Sequence, residues 1–156
     1  MPLKTLVRIK KLKLDRAELN VRKHESSVQA ANHAHTASVE RHQQYTLWRH
    51  DEESRLFNQC KAQLLNRRRL EQWQQKVASL REKEAQLEQD IAQCAQAQAQ
   101  AREQLLQSQK QLWEAQRQVE KFNQLNQRTL EQERLWAEFK EEQELDEFHR
   151  QEVTAE

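Results

Sequence analysis

The sequence contains no glycine, and its only proline is Pro2. A chain without residues that take left-handed backbone or preset a turn cannot make the closely spaced turns of a sheet protein. The missing glycine also excludes a phosphate-cradling loop, and neither a nucleophile elbow nor a C-x-x-C pair occurs. The two cysteines, Cys60 and Cys94, lack metal-site spacing and lie at or near apolar helix positions. They read as reduced, enclosed thiols, since a disulfide would need the two to face each other. No apolar run of about 20 residues is present, so neither a membrane span nor a signal peptide is expected, and the protein reads as soluble and cytoplasmic. Aromatic residues make up 6% and mean hydropathy is −1.17, which excludes a wide core.

What is present is helix-forming. Leu, Ala, Gln, Glu, Lys and Arg dominate the 156 residues, and charged side chains account for 33%. From Trp73 to Phe122 apolar or small residues recur at alternating steps of four and three: Trp73, Val77, Leu80, Leu87, Ile91, Cys94, Ala101, Leu105, Leu112, Ala115, Val119 and Phe122. The skipped slots are Glu84, Gln98 and Ser108. A period of about 3.5 marks a helix whose apolar stripe must be covered by another helix. Disordered chains of similarly low hydropathy lack such a period.

An earlier segment supplies the cover. Val7, Leu14, Val21 and Val28 repeat every seven residues, with Ala17 and Ala31 between, and Leu3, Leu6, Ile9, Leu12 and Leu19 broaden the face. The same frame carries His24, Ala31, His35, Ser38, His42 and Tyr45 onto the seam. Five of the six histidines lie between His24 and His50, but their spacing does not make a helical metal pair, so a polar, weakly packed seam is expected there. Tyr45, Leu47, Trp48, Leu56, Phe57, Cys60, Leu64 and Leu65 then form a cluster wider than a two-stranded seam requires. Such a cluster is either a thick local core or a partly outward-facing interaction surface. The Ala/Gln alternation over 92–101 suits close approach of two helices.

A single helix over most of this length would run roughly 220 Å and need a partner chain throughout. A hairpin supplies the partner from the same chain. The predicted fold is therefore all-α, a long antiparallel two-helix coiled-coil hairpin forming one domain over 1–156. Its first helix covers about 3–65, its turn lies within 64–80, and its second helix runs to about 150. Two turn sites compete: Asn66 before Arg67, Arg68 and Arg69, and Ser79 with Glu82 at capping-box spacing. Charge supports the hairpin. Met1 to Lys23 carries eight basic and two acidic residues, and Glu131 to Glu156 carries three basic and ten acidic ones. Antiparallel folding is expected to lay the basic end against the acidic end. Alternatively the basic helix meets anionic lipid or nucleic acid, or the acidic end presents Trp136, Phe139 and Phe148 elsewhere. After Phe122 the heptad frame is expected to slip, with Leu125, Leu130, Leu135, Trp136, Phe139, Leu145 and Phe148 on a broader face.

The opening Leu6 to Lys23, LVRIKKLKLDRAELNVRK, resembles the N-terminus of the YscO/FliJ family of type III secretion and flagellar export proteins. Lys11, Leu12, Lys13, Arg16, Ala17, Glu18 and Arg22 carry the pattern. With those motifs missing, no catalysis, cofactor or metal is expected; the resemblance implies a hairpin similar to the central stalk of rotary ATPases, without catalytic residues of its own, and the alternative is a generic structural coiled-coil scaffold. The resemblance further implies contact with the hexameric export ATPase, with the cytoplasmic domain of the export-gate membrane protein and with secretion chaperones. Such a protein would sit at the cytoplasmic face of the inner membrane, peripheral to it, bind no nucleic acid, and be a monomeric hairpin when isolated. By analogy, Arg8, Lys11, Lys13, Arg16 and Arg22, with Trp136 and Phe139, are the candidates for ATPase contact. Tyr45, Trp48, Phe57 and Trp73 are the candidates for the gate contact.

Overall fold

The structure, a computed structural model, describes residues 2–62 and 66–155. It consists of two helices, α1 (Pro2–Ala62) and α2 (Arg67–Ala155). No residue in either helix breaks the run, because glycine is absent and Pro2 stands in the first turn, where a missing N–H costs nothing. Asn66 caps α2. Its carbonyl accepts the amides of Arg69 (3.0 Å) and Leu70 (3.1 Å), and its side-chain Oδ1 accepts the amide of Arg68 (3.4 Å). The competing turn site, Ser79 with Glu82, lies inside α2. Leu64, Leu65 and the expected end of the first helix near them lie outside the described residues.

The contacts group the chain into two compact units, Met1–Val21 with Ser108–Glu156, and Arg22–Gln107. In the second of these, α1 and α2 are antiparallel. Asn32 receives a hydrogen bond from Gln98, Tyr45 reaches Leu80, Glu53 pairs with Arg81, and Phe57 meets Trp73, so partners descend α2 as they ascend α1. The enclosed positions follow the heptad frame closely. On α1 they include His24, Val28, Ala31, His35, Ser38, His42, Tyr45, Arg49, Glu52, Leu56 and Cys60; on α2 they include Trp73, Val77, Leu80, Glu84, Leu87, Ile91, Cys94, Gln98, Ala101 and Leu105, with flanking Asn32, Val39, Thr46, Glu53 and Asp90 also half-buried. Leu56 is the buried apolar side chain, but the most enclosed residue is Ser38, only 2% exposed. A narrow seam admits small side chains most completely, since large ones reach past the partner helix into solvent. Cys60 and Cys94 are both half-buried and free.

In the first unit Val7 and Val21 are buried on α1, with Leu14 and Ala17 half-buried between them. Ser108, 2% exposed, opens the α2 side, followed by Leu112, Ala115, Val119 and Phe122. Lys10 Nζ lies 5.2 Å from the centroid of the Phe122 ring, which sets the register. Two expectations are corrected here. The heptad frame does not slip at Phe122 but continues through half-buried Asn126 and Thr129, polar residues that hid it. The acidic segment does not pack on the basic helix, for residues 130–154 are all exposed. The ion pairs found within it, Arg134–Glu138 and His149–Glu152, join residues of α2 to one another. With residue 10 opposite residue 122, α1 runs out where α2 reaches about residue 130, and the acidic segment continues without a partner helix.

Candidate functional site

Arg8, Lys11, Lys13, Arg16 and Arg22 are all exposed on α1, because the seam takes Val7, Leu14 and Val21 and leaves the outer face to charge. Exposed Leu6, Ile9, Leu12 and Leu19 run among them, so this surface is both basic and apolar. Lys4, Arg8, Lys11, Leu12 and Asp15 border one shallow groove on it. Trp136 and Phe139 stand on the unpartnered part of α2 rather than on this surface. Their rings stack, with centroids 5.8 Å apart and planes at 28°, while Trp136 remains 61% exposed. With Gln132 and Leu135 they line an open groove.

The four mid-chain aromatics pair two by two. Tyr45 and Trp48, one turn apart on α1, have centroids 5.6 Å apart. The Tyr45 hydroxyl donates to the carbonyl of Leu80 on α2 (2.8 Å), and Lys83 lies over its ring at 5.2 Å. Burial, reinforced by the Glu84 carboxylate, pushes the Tyr45 hydroxyl pKa up. Phe57 of α1 meets Trp73 of α2 with centroids 6.1 Å apart. Trp73 Nε1 is enclosed without a hydrogen-bond partner, and Trp73 joins Leu56, Cys60, Arg69 and Lys76 around a groove. Trp48 and Phe57 are half-exposed and Leu47 is 72% exposed, so the wide cluster is partly core and partly outward-facing surface.

Between these pairs lies an ionic network that the apolar period passes over. Arg49 pairs with Glu53 one turn on (3.0 Å) and with Glu84 across the seam. Arg81 pairs with Glu53 from the other helix (3.1 Å). Burial pushes the Glu53 carboxyl up, but hydrogen bonds from Arg81 and Arg49 outweigh it and hold the group below its ordinary range. His42 Nε2 faces Glu88 Oε1 at 3.4 Å, and the donor atoms of His42, Glu84 and Glu88 all lie within 4.8 Å of one another. The histidine spacing could not announce this group, because two of its members come from the other helix. The slots skipped by the apolar repeat were the signal: Glu84 holds Arg49, and Gln98 donates to Asn32. A further outward aromatic, Trp113, is 58% exposed beneath Arg117, whose guanidinium lies 4.7 Å from the ring centroid. Its place one residue after the seam position Leu112 marks it as outward-facing.

Two helices holding a narrow polar seam, with charge and aromatic rings turned outward, make a scaffold for binding. The family model described as type III secretion protein YscO matches residues 3–151 of this chain. The chain belongs to the YscO family. The YscO-family crystal structure from Vibrio parahaemolyticus, a type III secretion protein determined at 2.8 Å, superimposes with a TM-score of 0.90 at 33% identity, covering 94% of this chain and 92% of that one. The Yop proteins translocation protein O of Yersinia pseudotuberculosis serotype I (strain IP32953) is 45% identical over 80 residues, which are 51% of this chain and 52% of the relative. The chain thus spans about half the length of the curated relative it matches. Among the described residues of this YscO-family chain, no helix is long and apolar enough to cross a membrane.

Proposed function

We propose that this chain is a non-catalytic, stalk-like component of a bacterial type III secretion apparatus that engages the hexameric export ATPase. The observation that carries this reading is the unpartnered acidic segment of α2, exposed throughout residues 130–154. Its apolar residues do not form one stripe. At roughly 100° per residue, Leu135, Trp136 and Phe139 fall on one side and Leu130, Leu145 and Phe148 on the other. A helix apolar on several sides suits enclosure by a partner more than docking on a flat surface. A ring of ATPase subunits supplies such an enclosure, with Arg8, Lys11, Lys13, Arg16 and Arg22 adding a second, basic contact.

The mid-chain aromatics, half-exposed Trp48 and Phe57 with their seam partners Tyr45 and Trp73, are then the contact for the cytoplasmic domain of the export gate, and secretion chaperones are further partners. The chain would act at the cytoplasmic face of the inner membrane, peripheral to it. Family membership and the exposed rings support this reading. Pull-down of a hexameric type III export ATPase tests it, together with ATPase turnover and ring assembly. Trp136→Ala with Phe139→Ala is expected to weaken capture at least tenfold while helicity is retained. Capture that ignores both substitutions and also removal of residues 130–156 would discard the ATPase contact assigned to this segment.

A further inference from the structure

We propose that His42, Glu84 and Glu88 form a binding site for a zinc-type divalent cation, clamping α1 to α2 within the unit Arg22–Gln107. The three side chains come from both helices, and one donor atom from each lies within 4.8 Å of the other two. Glu84 and Glu88 are one turn apart on α2, so both carboxylates rise on the side facing His42. Zinc takes imidazole nitrogen and carboxylate oxygen at about 2.0–2.2 Å, so tetrahedral donors stand about 3.4 Å apart. His42 Nε2 and Glu88 Oε1 are already 3.4 Å apart. That separation fits a shared cation. As a direct hydrogen bond it fails, for Nε2 is enclosed and has no hydrogen-bond partner.

The surrounding charges allow the ion in. Glu84 also holds Arg49, but a carboxylate has two oxygens and can serve a guanidinium with one and a cation with the other. Arg49 keeps Glu53 at 3.0 Å, so its charge stays neutralised even if Glu84 turns toward the ion. Lys83 is directed over the Tyr45 ring. One imidazole with two carboxylates favours zinc, cobalt or nickel over magnesium or calcium, which take oxygen alone. Three protein ligands leave one position for water. Bound there, the ion joins the two helices at a seam position where the packing is polar, and it stabilises the folded chain by mass action.

The test uses the full chain, freed of metal with a chelator and titrated with zinc chloride in a calorimeter, with cobalt(II) absorption reporting geometry. One ion per chain is expected, with a tetrahedral cobalt spectrum and a raised unfolding midpoint. Glu88→Gln and His42→Gln are each expected to weaken binding at least tenfold, while His33→Gln, exposed and off the seam, leaves it unchanged. Circular dichroism checks that the variants fold; should His42→Gln not fold, the largely exposed Glu88 decides alone. The absence of wild-type binding, or binding unchanged by Glu88→Gln, overturns the assignment.

Discussion

Lys10 Nζ lies over the ring of Phe122, 5.2 Å from its centroid, and this contact fixes where the two helices part company. An antiparallel pair obeys a simple rule in which the residue numbers of partners sum to a constant. The constant here is about 130, since the register places residue 10 opposite residue 122. A turn at the midpoint of the 156 residues would have raised it by about 25 and laid the acidic segment along the basic helix. With residue 10 opposite residue 122, α1 is exhausted where α2 reaches about residue 130, and residues 130–154 carry their aromatic side chains into solvent.

Removing residues 130–156 should therefore leave the remaining helices as stable as before. Residues 130–154 are all exposed, so the deletion uncovers no core, and a change below about 0.5 kcal/mol in urea unfolding is expected. Helical signal should fall only by the share of residues lost. A loss of several kcal/mol would mean that the segment folds back on the protein.

Glu53 should make the fold sensitive to acid. Its carboxyl is held below the ordinary value of 4.5, because the hydrogen bonds from Arg81 and Arg49 outweigh the effect of burial. The unfolded chain then binds this proton more readily than the folded one. The contribution is full above the ordinary value and is lost as pH falls through the lower folded value. Glu53→Gln should cost about 1–2 kcal/mol at pH 7. The gap from wild type should narrow as pH falls below the ordinary value of 4.5, read by urea unfolding at pH 7 and across the acid range.

Tyr45→Phe separates the hydrogen bond from the ring. The hydroxyl's 2.8 Å bond to the Leu80 carbonyl joins the two helices, and its loss should cost about 0.5–1.5 kcal/mol. The Trp48 contact survives the change, so the gate contact proposed for the aromatic pair should persist in a pull-down while urea unfolding reports the lost hydrogen bond. Tyr45→Ala should lower both stability and binding.

The seam was legible because its period is geometric. Trp73, Val77 and Leu80 through Phe122 all fall at enclosed positions, and the frame placed even His24, His35 and His42 correctly. Its course past Phe122 was not legible, since Asn126 and Thr129 occupy seam slots without apolar character. Charge blocks argued for an antiparallel pair, and the pair is antiparallel, yet the blocks do not meet. Net charge reports a preference between whole ends, whereas register is set by where α1 stops. The cross-seam network of Arg49, Glu53, Arg81 and Glu84 was hidden for a related reason. A polar residue in an apolar repeat looks like a gap until its partner on the other helix is known. The outward positions of Trp48 and Trp136 follow from the same helical geometry, but periodicity says nothing of what binds them.

Ser38 offers the sharpest test of how close the helices stand. It is 2% exposed, more enclosed than Val7 or Leu56, so the space around it is already filled. Ser38→Leu adds two heavy atoms and a branch with nowhere to go, and overpacking of this kind typically costs about 1–3 kcal/mol. Ser38→Ala keeps the volume almost unchanged and removes a hydroxyl from an enclosed site, so it should be neutral or slightly stabilising, helped by the higher helix propensity of Ala. At an ordinary wide seam the order would be reversed, with Leu filling space and raising stability. Urea unfolding of the two variants beside wild type decides between a tightly closed seam and a loose one. A more stable Ser38→Leu would show that the helices stand farther apart there than the burial of Ser38 implies.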